Sequence, residues 1–251
     1  MTSNTNILND LQQQALRLGL HGFLDHWHEI PSEIRDKLVA WEAASRRQRS
    51  LQRRVGAAKL GRFKPMADFD WPWLQQLDRP QVDELFTLDF VRTGCNAVFI
   101  GPNGTGKTMI CKNLIHEALM AGYTGLFVKA SDMLRDLAEQ PDARSRHRRL
   151  KRYTEADLLG IDEVGYMSYD NRYADLLYEV IDGRHQKKST IVTTNRPFSQ
   201  WPEIFLSAVS VVTLVDRVTH HAEIVKFVAD SYRRKEANEE RQAKAAARAA
   251  K

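Results

Sequence analysis

Apolar positions recur along this chain with two different periods. Between residues 7 and 30, Ile7, Leu8, Leu11, Leu16, Leu18, Leu20, Phe23, Leu24 and Trp27 fall at helical spacing, weakened in the middle by Gly19 and Gly22. That helix is expected to end before Pro31, and Ser32 with Glu33 opens another that runs through Leu38 and Trp41 to about Val55. Beyond residue 90 the pattern changes. Short apolar runs at 97–100, 125–129, 158–162 and 190–194 alternate with helical stretches, notably 172–186. Runs of this length with little polar alternation read as strands buried on both faces, and strands separated by helices imply a parallel sheet with helices on both sides. A helix from about Arg79 to Leu88 leads into the first strand, a last strand is expected near Glu223–Val228, and Arg233–Lys251 forms a charged, Ala-rich tail, helical or frayed. Between the two regimes, Phe63-Lys64-Pro65 through Asp68-Phe69-Asp70-Trp71-Pro72-Trp73 breaks the periodicity, and its aromatic side chains need a surface to pack on. The expected organisation is a helical module at 1–62, a linker and lead-in helix at 63–90, an α/β domain at 91–235 and a tail at 236–251.

Charge adds a second layer. The chain has 251 residues and a formal net charge of +5, unevenly distributed. From Ser45 to Lys64 every charged residue is basic, and Arg144, Arg146, Arg148, Arg149, Lys151 and Arg152 form a second cluster without an acid. Two one-sided clusters point to a polyanion, of which nucleic acid is the commonest. No apolar run approaches the ~18 residues of a membrane span, and Met1–Asn6 lacks the basic and apolar regions of a signal peptide. Cys95 and Cys111 have no metal-ligand spacing and read as buried reduced thiols. A cytoplasmic protein with no membrane partner is expected.

The strongest chemical signal is Gly101-Pro102-Asn103-Gly104-Thr105-Gly106-Lys107-Thr108, a complete G-x-x-x-x-G-K-[ST] pattern set between an apolar strand and a helix. Glycines at 101, 104 and 106 let successive backbone N–H groups surround a phosphate, and the following helix directs its positive end at the same anion. Lys107 is placed for the β- and γ-phosphates, and the Thr108 hydroxyl for Mg²⁺. The expected ligands are therefore a nucleoside triphosphate and Mg²⁺. Leu158–Ile161 then delivers Asp162 and Glu163, the first toward Mg²⁺ through its water shell, the second to orient or deprotonate an attacking water. Asn195, after the next strand, fits either a γ-phosphate contact or a turn before Arg196-Pro197. Arg217 fits either a structural ion pair or an arginine finger reaching a neighbouring subunit, and Arg233 fits a phosphate contact in its own subunit.

With these residues in view, the chain resembles the IstB/DnaC-like branch of AAA+ ATPases, most closely the IstB-type transposition helper ATPases of insertion sequences. The resemblance covers nearly the whole chain. It rests on Phe69-Asp70-Trp71, Leu88-Asp89-Phe90, Gly101–Thr108, Asp157-Leu158-Leu159, Asp162-Glu163-Val164-Gly165-Tyr166, Thr194-Asn195-Arg196-Pro197-Phe198 with Trp201 and Phe205, Asp216-Arg217-Val218-Thr219-His220-His221-Ala222, and Ser231-Tyr232-Arg233. It implies a P-loop AAA+ domain with a central parallel sheet behind a small helical domain. It also implies Asn195 as first sensor, Arg217 as a finger acting in trans, and Arg233 as second sensor. The activity implied is ATP hydrolysis coupled to assembly of a homo-oligomer on duplex DNA and delivery of a cognate transposase to a target site, with Arg144–Arg152 as the DNA contact. The N-terminal module is where such proteins meet a partner or neighbouring subunits. Two positions depart from the pattern: Asn103 stands where Pro is more usual, and Val228-Ala229-Asp230 where a Gly-containing turn is. A DnaC-type replicative helicase loader shares the same core, and a nucleotide-regulated adaptor with negligible hydrolysis is a third reading, opposed by the intact Asp162-Glu163 pair.

Overall fold

The structure, a computed structural model, describes residues 3–166, 170–205 and 208–249, with side chains from residue 10 to 244 apart from 167–169 and 206–210. Ile7, Leu8 and the end of the expected tail thus lie outside the described side chains. The chain divides into two compact units, Met1–Arg54 and Val55–Lys251, so the division falls before residue 62.

The first unit contains α1 (Ser3–Arg17), α2 (His21–Asp25), a 3-10 turn at Trp27–Glu29 and most of α3 (Ser32–Ala57). The single helix expected over 7–30 is interrupted at Gly19. This residue takes φ 62°, while Gly19 N donates to Leu16 O and Leu20 N to Ala15 O. That arrangement is a Schellman-type stop, in which glycine supplies the left-handed residue that satisfies the last carbonyls. Ala15, Trp27 and Val39 form the buried centre, supported by Leu11, Leu18, Phe23 and Leu24. Phe23 meets the Trp27 ring edge-on at 5.3 Å, and the Arg35 guanidinium lies 5.0 Å from its centre.

The second unit is built on one sheet of β1 (Asn96–Ile100), β2 (Gly125–Lys129), β3 (Leu158–Val164), β4 (Ser189–Thr194) and β5 (Ala222–Lys226). All pairings are parallel, in the order β2-β3-β4-β1-β5. The helices are α4 (Arg79–Leu85), α5 (Asp89–Thr93), α6 (Lys107–Met120), α7 (Ala130–Ala138), α8 (Ala143–Thr154), α9 (Asn171–Arg184), α10 (Ala208–Thr219) and α11 (Tyr232–Ala249). Alternation along β3 shows how the sheet is covered. Leu159 and Ile161 join a core with Met133 of α7, Val180 of α9 and Leu214 of α10. Gly160 points the other way, where an added Cβ would stand 2.7 Å from Ile115 and 2.8 Å from Cys111 of α6. The sheet is therefore sandwiched, and β4 separates β1 from β3. That separation opens a crevice at the carboxyl ends of the strands.

Several expected boundaries move. The helix expected to reach Leu88 stops at Leu85, because Leu88 itself takes φ 64° and starts α5. The last strand is 222–226, and Val228 instead bridges the linker at Gln76. Cys111 is buried, and burial pushes its thiol pKa up, whereas Cys95 is only half-buried and accepts a hydrogen bond from Thr93 at 3.3 Å. Arg184 carries a role that composition did not flag. Fully buried, it donates to the carbonyls of Tyr153 at 2.7 Å and Ala156 at 2.8 Å and to Thr190 Oγ1 at 2.9 Å, tying the entries of β3 and β4 together. Among the described residues no helix is long and apolar enough to cross a membrane.

Candidate functional site

The loop 101–106 leaves β1 and turns directly into α6. Gly101 N donates to Thr194 O at 3.1 Å, carrying the β1–β4 pairing into the loop. Two glycines are demanded by what presses on them. At Gly104, φ 84°, a Cβ would lie 2.3 Å from Ser231 Oγ; at Gly106, φ 96°, it would lie 2.5 Å from the Phe69 ring. Thr105 Oγ1 donates to Pro102 O at 2.9 Å. Lys107 is buried, and its Nζ donates to the carbonyls of Gly101 at 2.6 Å and Pro102 at 2.7 Å. Desolvation lowers its pKa to about 8, against the pull of Asp162 and with a further push from Arg233.

Asp162 and Glu163 are not at a strand end, as the apolar pattern suggested. β3 continues through both to Val164, with a register shift against β4 between Ile161 and Val164. The irregularity is local: Glu163 adopts φ 62°, unusual for a residue with a side chain. Its effect is to separate the two carboxylates. Asp162 turns inward, where Oδ1 accepts from Thr108 Oγ1 at 2.9 Å and Thr193 Oγ1 at 2.6 Å. Glu163 turns toward the crevice, its N–H donating to Thr193 Oγ1 at 3.0 Å and its carboxylate 3.0 Å from Lys129 Nζ. Lys129, at the end of β2, carries a pKa raised by that hydrogen bond. Neither Thr193 nor Lys129 stood out in the sequence, since each is an ordinary strand residue until β4 and β2 are placed beside β3.

A cavity of about 320 Å³ lies over this network. Its walls include loop residues Asn103–Thr108, Glu163 and Asn195, together with Phe63, Phe69 and Trp73 of the linker and Arg233 of α11. The aromatic linker therefore finds its surface at the phosphate loop. It is fastened to the start of α11 by Trp73 Nε1 donating to Asp230 O at 2.9 Å, Lys235 with Asp70 at 2.7 Å, and Lys64 with Glu236 at 2.6 Å. Tyr232 N also donates to Gly104 O at 2.9 Å. Residues 227–231 make the turn into α11 with no left-handed residue, so a glycine there is unnecessary.

Two groups of expected site residues lie elsewhere. Arg217 does not line this cavity. It sits in the last turn of α10, where its carbonyl accepts from Asn96 Nδ2 at 3.4 Å at the start of β1, and its Nη1 pairs with Asp182 at 3.0 Å. Arg144, Arg146, Arg148, Arg149, Lys151 and Arg152 all fall on α8, but not on one face. Arg144, Arg148, Lys151 and Arg152 are exposed together with His147, whereas Arg146 and Arg149 are half-buried and Arg149 pairs with Asp136 at 3.4 Å.

The residues present fit a nucleotide. Backbone N–H groups, a buried lysine and the start of α6 converge on one cavity, and aromatic side chains stand at its other wall. Thr108 and Asp162 offer the hard oxygens that Mg²⁺ takes when phosphates complete its shell. Among the described residues there is no cluster of three or more His, Cys, Asp or Glu able to hold a metal ion unaided.

Comparison with known proteins agrees with this geometry. A family model described as IstB-like ATP binding protein matches residues 29–240. The insertion sequence IS232 protein of Bacillus thuringiensis subsp. berliner, which carries the name ATP-binding protein, is 34% identical over 200 residues, 80% of each chain. Its insertion sequence IS21 counterpart from Pseudomonas aeruginosa is 32% identical over 233 residues, 92% of this chain and 88% of that one. Among solved structures, DnaI aligns with a TM-score of 0.57 at 17% identity over 68% of this chain and 93% of that chain. AMPPCP-bound DnaA from Aquifex aeolicus aligns with a TM-score of 0.57 at 19% identity over 70% and 53%; both likenesses are of fold, the P-loop AAA+ fold. This chain belongs to the IstB-like ATP-binding proteins of insertion sequences.

Proposed function

We propose that this chain hydrolyses ATP, that nucleotide state governs its assembly on duplex DNA, and that the assembly selects a target site and recruits a cognate transposase. The observation that carries the hydrolytic part is the division of labour between adjacent carboxylates. Asp162 is held inward by Thr108 and Thr193, while Glu163, turned by its left-handed backbone, faces the cavity. In this reading Lys107 and the loop N–H groups hold the triphosphate, and Asn195 lies beside the γ-phosphate. Thr108 and Asp162 hold Mg²⁺, which supplies charge neutralisation on the phosphates. Glu163 orients the attacking water and accepts its proton, leaving its pair with Lys129 to do so. Arg233 acts on the phosphates of its own subunit. Arg217, at the opposite edge of the sheet, serves a neighbour.

DNA binding is assigned to the exposed basic face of α8, where Arg144, Arg148, Lys151 and Arg152 stand without a carboxylate among them. Family membership favours transposition over helicase loading. The test is phosphate release by the full chain with and without duplex DNA, alongside imaging of the protein on DNA with a slowly hydrolysed ATP analogue. Stimulated release and nucleotide-dependent coating of DNA are expected. Negligible release with and without DNA would leave the nucleotide-regulated adaptor, and release indifferent to DNA, with no assembly, would remove DNA from the proposal.

A further inference from the structure

Arg217 is held by α9 in a way a freely reaching arginine would not be. Nη1 donates to Asp182 Oδ1 at 3.0 Å, and the guanidinium carbon stands 5.6 Å from the centre of the Tyr178 ring. The Tyr178 hydroxyl lies 3.5 Å from that same carboxylate oxygen. Beneath it, Asn96 Nδ2 donates to the carbonyls of Arg217 and Val218 at 3.4 and 3.2 Å, pinning the helix end against β1. Nε is buried and makes no hydrogen bond.

The exposure of the pair decides between two roles. Asp182 and Arg217 side chains are 44% and 29% exposed, and an ion pair this open contributes little to stability. Orientation is a different matter. An arginine has many rotamers, and one that must meet a developing charge across a subunit boundary gains from having them restricted beforehand. The carboxylate at one nitrogen and the flat ring against one face provide that restriction.

We infer that Asp182, assisted by Tyr178, is the positioning residue for Arg217 as it serves the triphosphate of a neighbouring subunit; this rests on the trans reading above. Asp182 touches no substrate and acts only through Arg217.

The test uses full-length protein, duplex DNA and ATP. Asp182→Ala should lower DNA-stimulated turnover by about 10- to 100-fold, with KM for ATP unchanged, and Asp182→Glu, which keeps the carboxylate, should recover most of it. Mixing provides a readout that a folding role would not move. Asp182→Ala has an intact Glu163, and Glu163→Gln has an intact, positioned Arg217. An equal mixture should reach about a quarter of wild-type turnover, since half the sites keep the base and half of those face a sound finger. In an Arg217→Ala background, Asp182→Ala should cost nothing further. Wild-type turnover by Asp182→Ala overturns the inference. So does failure of the Asp182→Ala mixture when Arg217→Ala mixed with Glu163→Gln is restored, because Asp182 would then act within its own subunit. If the Arg217→Ala mixture is not restored either, the trans finger itself falls, and Asp182 with it.

Discussion

At the residue scale, Glu163 and Lys107 are held in states that protein folding alone would not choose. Glu163 sits at φ 62°, a conformation that costs a residue with a Cβ roughly 1 kcal/mol or more. Glu163→Gly should therefore leave thermal stability unchanged or raise it by ~1 kcal/mol while abolishing turnover, and paired melting and phosphate-release measurements read the two effects separately. Glu163→Gln keeps the backbone demand and the side-chain shape; it should lose on the order of 100-fold or more in turnover yet still bind ATP. A Glu163→Gln variant with wild-type turnover would transfer the base role elsewhere. Lys107 makes a pH prediction. Its folded pKa of about 8 lies below the ordinary 10.5, so burying the ammonium opposes folding fully below about pH 8, and that opposition is relieved as pH rises toward 10.5. A triphosphate favours the charged form. ATP affinity should thus fall as pH rises through 8, by at most about tenfold per pH unit, with proton uptake on binding. Calorimetry in buffers of different ionisation enthalpy should show that uptake near pH ~9 and none near ~7. Gly101 to Thr108 were legible as a phosphate loop because their chemistry is local. Thr193, which donates to Asp162 and accepts from the Glu163 N–H, was not, since its place depends on where β4 lies.

At the element scale, α8 shows what net charge leaves out. Helical geometry sorts its six cations: Arg144, Arg148, Lys151 and Arg152 face outward with His147, while Arg149 turns to Asp136 and Arg146 is half-buried. If α8 is the DNA-binding element, Arg144→Ala/Arg148→Ala/Arg152→Ala should weaken duplex binding and reduce the slope of log affinity against log salt by about 0.9 for each phosphate that is no longer neutralised. Arg149→Ala should change the slope little. Anisotropy titrations at several salt concentrations measure both, and an unchanged slope in the triple variant would move DNA binding to another surface. The same limit applies to strands. Apolar runs located β1 to β4 closely because burial on both faces leaves a mark in composition. They did not reveal that β3 continues past Asp162 through Glu163 to Val164, because backbone pairing continues where the apolar pattern stops. Leu88 broke the lead-in helix without a glycine to announce it. The linker aromatics were recognisable as a docking segment, but their place as a cavity wall depends on α11, more than 150 positions along the chain, as in the Trp73–Asp230 bond.

At the scale of the whole molecule, one strand separates the phosphate loop from Arg217. The phosphate loop follows Ile100 at one end of β1, and Arg217 is anchored to Asn96 at the other. A strand of that length spans roughly 16 Å, and the guanidinium is held to α9 on the far side, so Arg217 has no route to the triphosphate of its own subunit. If it serves a triphosphate at all, that triphosphate is a neighbour's. The interface then joins two different surfaces, the cavity mouth of one copy and the α9–α10 end of the next. Such a head-to-tail arrangement leaves an unused surface at each end and propagates into a ring or a filament, whereas a two-fold pair would stop at two. Glu163→Gln, expected to bind ATP without consuming it, should therefore grow past a dimer on duplex DNA, and mass measurement by light scattering or imaging should show higher species with ATP. Arg217→Ala should bind ATP normally but assemble less under the same conditions, because the cation on one side of each interface is gone. A mass that halts at two copies would mean a two-fold pair in place of a head-to-tail chain, and an Arg217→Ala variant that assembles as Glu163→Gln does would mean that Arg217 does not hold the interface together.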